Sequence, residues 1–165
     1  MRIRKLDIKD APLMLEWMHD DDVVRYLKAD FKNKSIDDCE RFIKFANDSD
    51  ENKHYAIVDE TDEYVGTVSL KHISADSAEF GITIRKHAMG KGYAGFAMAQ
   101  IIEIAKELGL KKIYWCVKPS NLRAIRFYTK HGYSMIQVPY EVKGYSEQEK
   151  SEFTWFGTDL QGIVH

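Results

Sequence analysis

The sequence contains little cysteine and no long hydrophobic run. Cys39 and Cys116 are its two cysteines, and they are far apart along the chain. That usage does not fit a small disulfide-bonded domain and favours a reduced, cytoplasmic protein. No apolar stretch approaches the roughly 20 residues that cross a bilayer, and no early segment has a signal-peptide pattern. We therefore expect a cytoplasmic location and no membrane partner, with Cys116 buried in the core because it lies in an apolar run.

An excess of positive charge is also absent. The 24 lysines and arginines stand against 26 aspartates and glutamates, so the net charge is −2. A chain of this balance lacks the basic footprint of a nucleic-acid-binding protein. Its 44% of hydrophobic residues and 30% of charged residues are typical of a globular domain, and it has no repeat or low-complexity linker. We expect residues 1–165 to form a single domain with a sizeable core.

Hydrophobic periodicity predicts alternating groups of helices and strands. Asp10 is expected to cap a helix at 11–18 that has Pro12 in its first turn, and Ser35 with Asp38 to form a capping box. Predicted helices lie near residues 11–18, 23–27, 35–46, 94–108 and 121–131. Predicted strands lie near residues 1–6, 54–58, 64–70, 78–84, 111–117, 133–138 and 152–156. Hairpins combined with one helical crossover predict an α+β (α/β-like) fold, with a mixed, mostly antiparallel sheet of six to seven strands flanked by helices.

The most informative segment is residues 84–95, IRKHAMGKGYAG. A strand leads into a loop with two glycines, and an amphipathic helix follows at once. Free backbone N–H groups at a helix N-terminus favour anions, and Gly90 and Gly92 let a ligand approach the backbone closely. Lys91 adds positive charge. The segment predicts a phosphate or pyrophosphate site, although a plain turn ending a strand would have the same glycines.

A second motif, NLRAIRFYTKHGY, occupies residues 121–133. Together the two motifs resemble those of the GNAT family of N-acetyltransferases, over about residues 64–138. The family's loop pattern, Gln/Arg-x-x-Gly-x-Gly/Ala, corresponds to residues 89–94, with Met89 in place of glutamine or arginine. The later pattern, Asn-x-x-Ala-x-x-x-Tyr-x-x-x-Gly-Phe, corresponds to Asn121, Ala124, Tyr128, Gly132 and Tyr133.

The resemblance implies the GNAT fold and acetyl-CoA as cosubstrate, with no metal. The loop would hold the pyrophosphate, and the preceding strand would pair with the pantetheine arm. The cofactor-binding residues implied are Ile82, Thr83, Ile84, Met89, Gly90, Lys91, Gly92, Tyr93, Ala94, Asn121 and Ala124. Gly81 fits either close approach of the cofactor or a β-bulge.

Tyr128 and Glu79 are the candidate catalytic residues. A phenol near the sulfur can donate a proton to a forming thiolate, which makes Tyr128 the candidate acid; its alternative is a core aromatic on a helix face. Glu79 resembles the catalytic carboxylate of histone-acetylating family members and is the candidate base. Its alternative is a solvated or ion-paired strand glutamate, with His72 or a water chain then acting as base.

The acceptor is expected to be a primary amine of a small molecule, of amino-sugar, aminoglycoside or polyamine type, or a protein N-terminus. Its binding site is expected to include Trp17, Asp20, Asp21, Asp22 and Tyr26. Acidic and aromatic side chains would suit a cationic amine, although the three aspartates would serve equally as charges at the start of a helix. Residues 15–27 are similar to the branch with ribosomal-protein N-terminal, nucleotide-sugar and aminoglycoside acetyltransferases. The alternative hypothesis is a non-catalytic acyl-CoA-binding module. The protein is expected to be a monomer or a homodimer.

Overall fold

The computed structural model describes residues 1–160 and shows one seven-stranded sheet. Its strands are β1 (Arg2–Lys5), β2 (Lys53–Val58), β3 (Tyr64–Lys71), β4 (Ser77–Ile84), β5 (Lys112–Val117), β6 (Ser134–Ile136) and β7 (Thr154–Asp159). Their order in the sheet is β1-β2-β3-β4-β5-β7-β6. Every pairing is antiparallel except β4 with β5. The predicted mixed, mostly antiparallel sheet flanked by helices is confirmed.

Four of the six helices, α2, α3, α5 and α6, begin at a residue whose side chain caps the helix. They are α1 (Ala11–Met18), α2 (Asp21–Val24), α3 (Ile36–Phe45), α4 (Tyr93–Glu107), α5 (Leu122–Lys130) and α6 (Glu147–Glu152). Ser35 and Asp38 form the predicted capping box of α3, and the Asn121 side chain accepts from the Ala124 N–H to cap α5. Gly109 follows α4 with a φ of +79°, the left-handed conformation expected at a helix end.

The two largest hydrophobic clusters lie on opposite faces of the sheet, and a third, small cluster contains Tyr114, Val142 and Trp155. On one face α4 and α5 cover β-strand residues such as Phe80, Ile113 and Trp115. On the other face α1, α2 and α3 cover Ala56, Val58 and Tyr64, among others. The predicted alternation in β4 is confirmed, because Phe80, Ile82 and Ile84 all belong to or pack on the α4 side. Glu79, Gly81 and Thr83 therefore face the α1–α3 side.

Four local expectations were wrong. Asp10 precedes α1 but makes no side-chain cap to it; its carboxylate instead accepts from the Asp7 N–H and from Arg4. Helix α2 begins at Asp21 rather than at 23, because the Asp20 side chain caps it. Helix α6 was not predicted, although Ser146 and Glu149 form a capping box there. Cys116 is half-buried rather than a core residue, since β5 loses its β4 neighbour before that position.

The sheet opens between β4 and β5. Their parallel pairing is confined to residues 77–79 of β4 and 112–114 of β5, ending at Glu79 opposite Tyr114. Beyond it, β4 stays paired with β3 up to Ile84, while β5 stays paired with β7 up to Val117. The two strands thus separate at their carboxyl ends, where backbone groups lose their partner strand. That opening positions the candidate site.

Candidate active site

A cleft of about 1170 Å³ occupies the opening between the two strands. One wall is formed by Gly81, Ile82 and Thr83 of β4, and the other by Cys116 and Val117 of β5. Three motif residues of the second segment also line it: Asn121, Ala124 and Tyr128. Glu79 lies at the end of the cleft where strand pairing stops. The structure therefore brings both candidate catalytic residues and four of the candidate cofactor residues, Ile82, Thr83, Asn121 and Ala124, to one cavity.

Glu79 is a buried carboxylate with one oxygen engaged and the other free of hydrogen bonds. The side chain is 3% exposed, and Oε2 accepts from the Tyr145 hydroxyl at 2.8 Å and lies 3.3 Å from Nζ of Lys71. Oε1 lies 3.5 Å from Nδ1 of His72 without hydrogen-bond geometry, and both atoms lack hydrogen-bond partners among residues 1–160. A buried acceptor without a partner is costly, so Oε1 is suited to receive a donor from a ligand.

The strand register explains how Lys71 reaches Glu79. The two residues are directly opposite in the β3–β4 pair, where side chains of opposite charge interact across strands. A Cβ on Gly81 would lie 3.3 Å from Cε of Lys71, so the absence of a side chain leaves room for the lysine. The register is regular at Gly81, opposite Ser69, and the proposed bulge is therefore excluded.

Tyr145 and Cys116 complete this polar group, and sequence reasoning did not place them together. The Tyr145 hydroxyl lies 3.5 Å from Sγ of Cys116 as well as bonding Glu79. Burial and the nearby Glu79 raise the pKa of Tyr145, so the phenol stays protonated and donates. Burial also raises the pKa of the Cys116 thiol to about 11, which leaves it a weak nucleophile at neutral pH. No local pattern in the sequence signals these long-range contacts.

Tyr128 is 6% exposed and packs among aromatic rings. Its ring centroid lies 5.1 Å from that of Trp115 and 5.3 Å from that of Phe156, while its side chain still lines the cleft. The hydroxyl has no hydrogen-bond partner within residues 1–160. Burial raises the pKa of Tyr128, so its proton is retained across the neutral range. The surrounding rings fix the position of a hydroxyl that is available to a ligand.

The glycine loop leads directly into α4. Gly90 and Gly92 have φ angles of +75° and +91°, a region that other residues enter at a cost. Gly92 is the N-cap of α4 and makes no side-chain cap, so the first-turn N–H groups are left for another acceptor. Residues 89–94 and Ile84 do not line the cleft itself. The candidate cofactor residues therefore form two neighbouring groups, one along the strand opening and one at the helix N-terminus.

Arg123 lies over this loop from α5. Its Nη1 is 3.7 Å from Sδ of Met89, and a Cβ on Gly90 would be 3.4 Å from its Nη2. The guanidinium thus stands beside the position where the family pattern has glutamine or arginine. A donor from α5 can therefore replace the one that Met89 lacks.

Some of the predicted acceptor-binding residues line the cleft, and the others lie outside it. Trp17 and Tyr26 line the cleft, whereas Asp20, Asp21 and Asp22 do not. Asp20 caps α2, and Asp21 forms an ion pair with Lys32. Asp22 pairs with Arg25 and Lys86, and the Lys86 ammonium lowers the pKa of the Asp22 carboxyl. These carboxylates thus bind neighbouring groups outside the cleft.

Two features of other protein classes are absent from residues 1–160. No helix in that range is long and apolar enough to cross a membrane. No group of three or more His, Cys, Asp or Glu side chains there is arranged to hold a metal ion.

A match to a protein-family model identifies the family of the chain. The profile of the Acetyltransferase (GNAT) domain matches residues 1–134, which include β4, the glycine loop, α4 and α5. The chain belongs to the GNAT family. It is therefore an acetyltransferase by family, and the strand opening beside a glycine loop lies within the matched region.

Individual GNAT relatives are distant. An uncharacterized N-acetyltransferase p20 from Bacillus licheniformis is 27% identical over 76% of this chain and 74% of its own. Acetyltransferase PseH from Campylobacter jejuni is 24% identical over 79% of this chain and 81% of its own. The structure of a spermidine N-acetyltransferase from Vibrio cholerae, in complex with CoA and spermine, has a TM-score of 0.76 with 21% identity, over 96% of this chain and 95% of that one. The last likeness establishes the fold.

Proposed function

We propose that this protein is an acetyl-CoA-dependent N-acetyltransferase that acts on a primary amine of a small molecule. The observation that carries the proposal is the buried, unpartnered Oε1 of Glu79 in a cleft that opens between two diverging strands. An amine that donates to Oε1 would satisfy this acceptor and lie in the cavity that Tyr128 also lines. Family membership and relatives named as acetyltransferases support the same activity.

The residues present fit acetyl-CoA. When bound, the cosubstrate supplies an acetyl group activated as a thioester. The N–H groups at the start of α4 would bind phosphate oxygens, helped by the positive end of the helix dipole and by Lys91 and Arg123. The edge of β4 at residues 80–84 does not pair with β5 and would form hydrogen bonds with an extended, amide-containing arm of the cosubstrate.

Glu79 and Lys71 would prepare the amine for attack. Oε1 of Glu79 is available to accept a proton from the amine, directly or through one water, because Oε2 alone is engaged by Tyr145 and Lys71. An ammonium group near Glu79 would also lie near the positive charge of Lys71. That repulsion favours loss of the proton and release of the neutral, nucleophilic amine.

Tyr128 would provide the proton for the departing sulfur. Its phenol stays neutral because burial raises its pKa, so a hydrogen-bond donor is present as thiolate charge develops. The aromatic rings around it hold the hydroxyl in place, which reduces the reorganisation needed during reaction. The roles of base and acid thereby fall on two residues that line the same cleft.

A non-catalytic acyl-CoA-binding module is the second candidate. It would need the glycine loop and the strand opening but has no use for a buried carboxylate with a free oxygen, which favours the catalytic reading. The decisive experiment has two stages. Calorimetry should first show metal-independent binding of acetyl-CoA in the micromolar range. Release of free CoA should then be followed with amino sugars, aminoglycosides, polyamines and peptides; binding without release from any amine would favour the module.

A further inference from the structure

The side chains around the cleft are more positive than negative. Those with positive charge are Lys28, Lys34, Arg41, Lys71 and Lys143, and those with negative charge are Asp38, Glu79 and Glu149. The lining therefore has an excess of two positive charges before any histidine is counted. A polycation would bind more favourably to a surface with an excess of negative charge.

The acids are already paired, whereas two of the lysines are not. Oδ1 of Asp38 lies 3.6 Å from Nη1 of Arg41, and Oε2 of Glu149 lies 3.7 Å from Nζ of Lys28. Both carboxylates also complete the capping boxes of their helices. The third acid, Glu79, is paired with Lys71 as described above.

The two remaining lysines are Lys34, in the loop before α3, and Lys143, in the loop before α6. Neither has an ion-pair partner among residues 1–160. They are thus the positive groups of the cleft that remain available to a ligand.

The cleft also has a substantial aromatic wall. Trp17, Tyr26, Phe31, Phe42 and Phe45 line it, in addition to Tyr145 and Phe153. Phe45 and Phe42 are 54% and 39% exposed, so apolar area is available to the non-reacting part of a ligand. A ligand that used the whole cleft would combine an amine, a ring or apolar body and negative charge.

We infer that the acceptor is a primary amine that also carries an anionic group, a phosphate or a carboxylate, which Lys34 and Lys143 bind while the amine lies at Glu79. This inference rests on the proposed function and narrows it. It separates the chain from a polyamine acetyltransferase, because each extra positive charge of a polyamine would meet a lining that already carries unpaired lysines. The anion would bind two exposed ammonium groups, so its contribution should weaken as salt is added.

The test uses matched amines on protein saturated with CoA, so that binding is measured apart from turnover. Calorimetry would compare glucosamine 6-phosphate with glucosamine, and β-alanine with β-alanine amide, with spermidine as the polycation. We expect the anionic member of one pair to bind about tenfold more tightly than its neutral counterpart at low salt, the effect of two exposed ion pairs. The pair that shows the preference identifies the anion as phosphate or carboxylate.

Variants assign the effect to the two lysines. The double variant Lys34→Met/Lys143→Met should lose most of the preference for the anionic probe. The control Lys44→Met/Lys106→Met removes the same charge from α3 and α4 at exposed positions outside the cleft, and should keep the preference. Thermal melts would confirm that both proteins are folded.

The outcomes separate the inference from the proposed function. Equal binding of both members of each pair, tightest binding of spermidine, or an unchanged preference in the Lys34/Lys143 variant would overturn the inference. Release of CoA with spermidine or neutral amines alone would leave an acetyltransferase but remove the anionic acceptor. Failure of CoA itself to bind the folded protein would instead refute the proposed function.

Discussion

The Tyr145 hydroxyl lies 2.8 Å from Oε2 of Glu79, although 66 positions separate the two residues along the chain. The contact joins the loop before α6 to the end of the β4–β5 pairing. It engages one carboxylate oxygen and leaves the other without a hydrogen-bond partner in the described structure. A tyrosine of the loop before α6 thus forms a hydrogen bond with the candidate base.

Replacing Tyr145 with phenylalanine tests that orientation. The variant keeps the ring but removes a hydrogen bond to a charged group, a loss of about 1.5–3 kcal/mol. We expect kcat/KM for the amine to fall roughly 10- to 100-fold, while acetyl-CoA affinity is retained. Tyr140→Phe is the matched control, because Tyr140 precedes the same helix and is 95% exposed. Equal rates in the two variants would show that Tyr145 does not position Glu79.

Glu79→Gln tests the base itself. Glutamine keeps the shape of the side chain but cannot accept the amine's proton, so kcat should fall by about 10²- to 10⁴-fold. The acidic limb of the kcat/KM profile should change as well. Glu149→Gln is the control, since that carboxylate lines the same cleft but is paired with Lys28. A wild-type pH profile in Glu79→Gln would move the role of base to water or to another residue.

Tyr128→Phe separates proton donation from packing. The change removes one oxygen from a site among aromatic rings, and should lower kcat by about 10²- to 10⁴-fold with little effect on the Kd of acetyl-CoA. Tyr133→Phe is the control, because Tyr133 packs on the same Trp115 ring but does not line the cleft. Full activity in Tyr128→Phe would reduce that residue to a packing role.

Gly92 lies at the start of α4 and Gly109 follows its end, so Gly109 provides a matched control for the glycine loop. Gly92→Ala and Gly109→Ala each place a Cβ at positive φ without a close contact, so both should lose about 1 kcal/mol of stability. The Gly92 variant alone should weaken acetyl-CoA binding, by at least about tenfold, because its Cβ blocks approach to the backbone. Calorimetry and thermal melts on both variants check this. Equal CoA affinities would exclude the start of α4 as the phosphate site.

His54 should make stability depend on pH. Burial, followed by the charge of Lys71, lowers the pKa of His54 from 6.5 to about 4, and its Nδ1 lies 2.6 Å from Oγ of Ser69. The unfolded chain therefore binds a proton below pH 6.5 that the native protein does not take up until about pH 4. Native stability is consequently lost as pH falls through that window, by at most about 3 kcal/mol.

Denaturant unfolding at a series of pH values would measure this effect. The free energy of unfolding of the wild type should fall between pH 6.5 and about 4 by more than that of His54→Gln, which has no imidazole to protonate. Parallel pH curves for the two proteins would contradict a buried neutral histidine.

The fold was largely predictable because its signals are local. The capping box of Ser35 and Asp38, the alternation along β4 and the glycine after α4 each depend on neighbouring residues, and the structure confirms them. Local signals failed where a side chain had competing partners. Asp10 looks like the cap of α1, but Arg4 and the Asp7 N–H bind its carboxylate instead.

The sequence by itself determined the family, the order of the helices and strands except α6, and the motif residues, because the glycine loop and the α5 motif are each continuous in the chain. Only the tertiary structure decided the environment of Glu79, since Lys71, His72 and Tyr145 reach it through strand register and a distant loop. It also showed that Asp20, Asp21 and Asp22 lie outside the cleft. Two lysines without an ion-pair partner among residues 1–160, Lys34 and Lys143, line the cleft instead. The net charge of a cavity depends on which side chains meet across the fold, and no pattern along the chain specifies that.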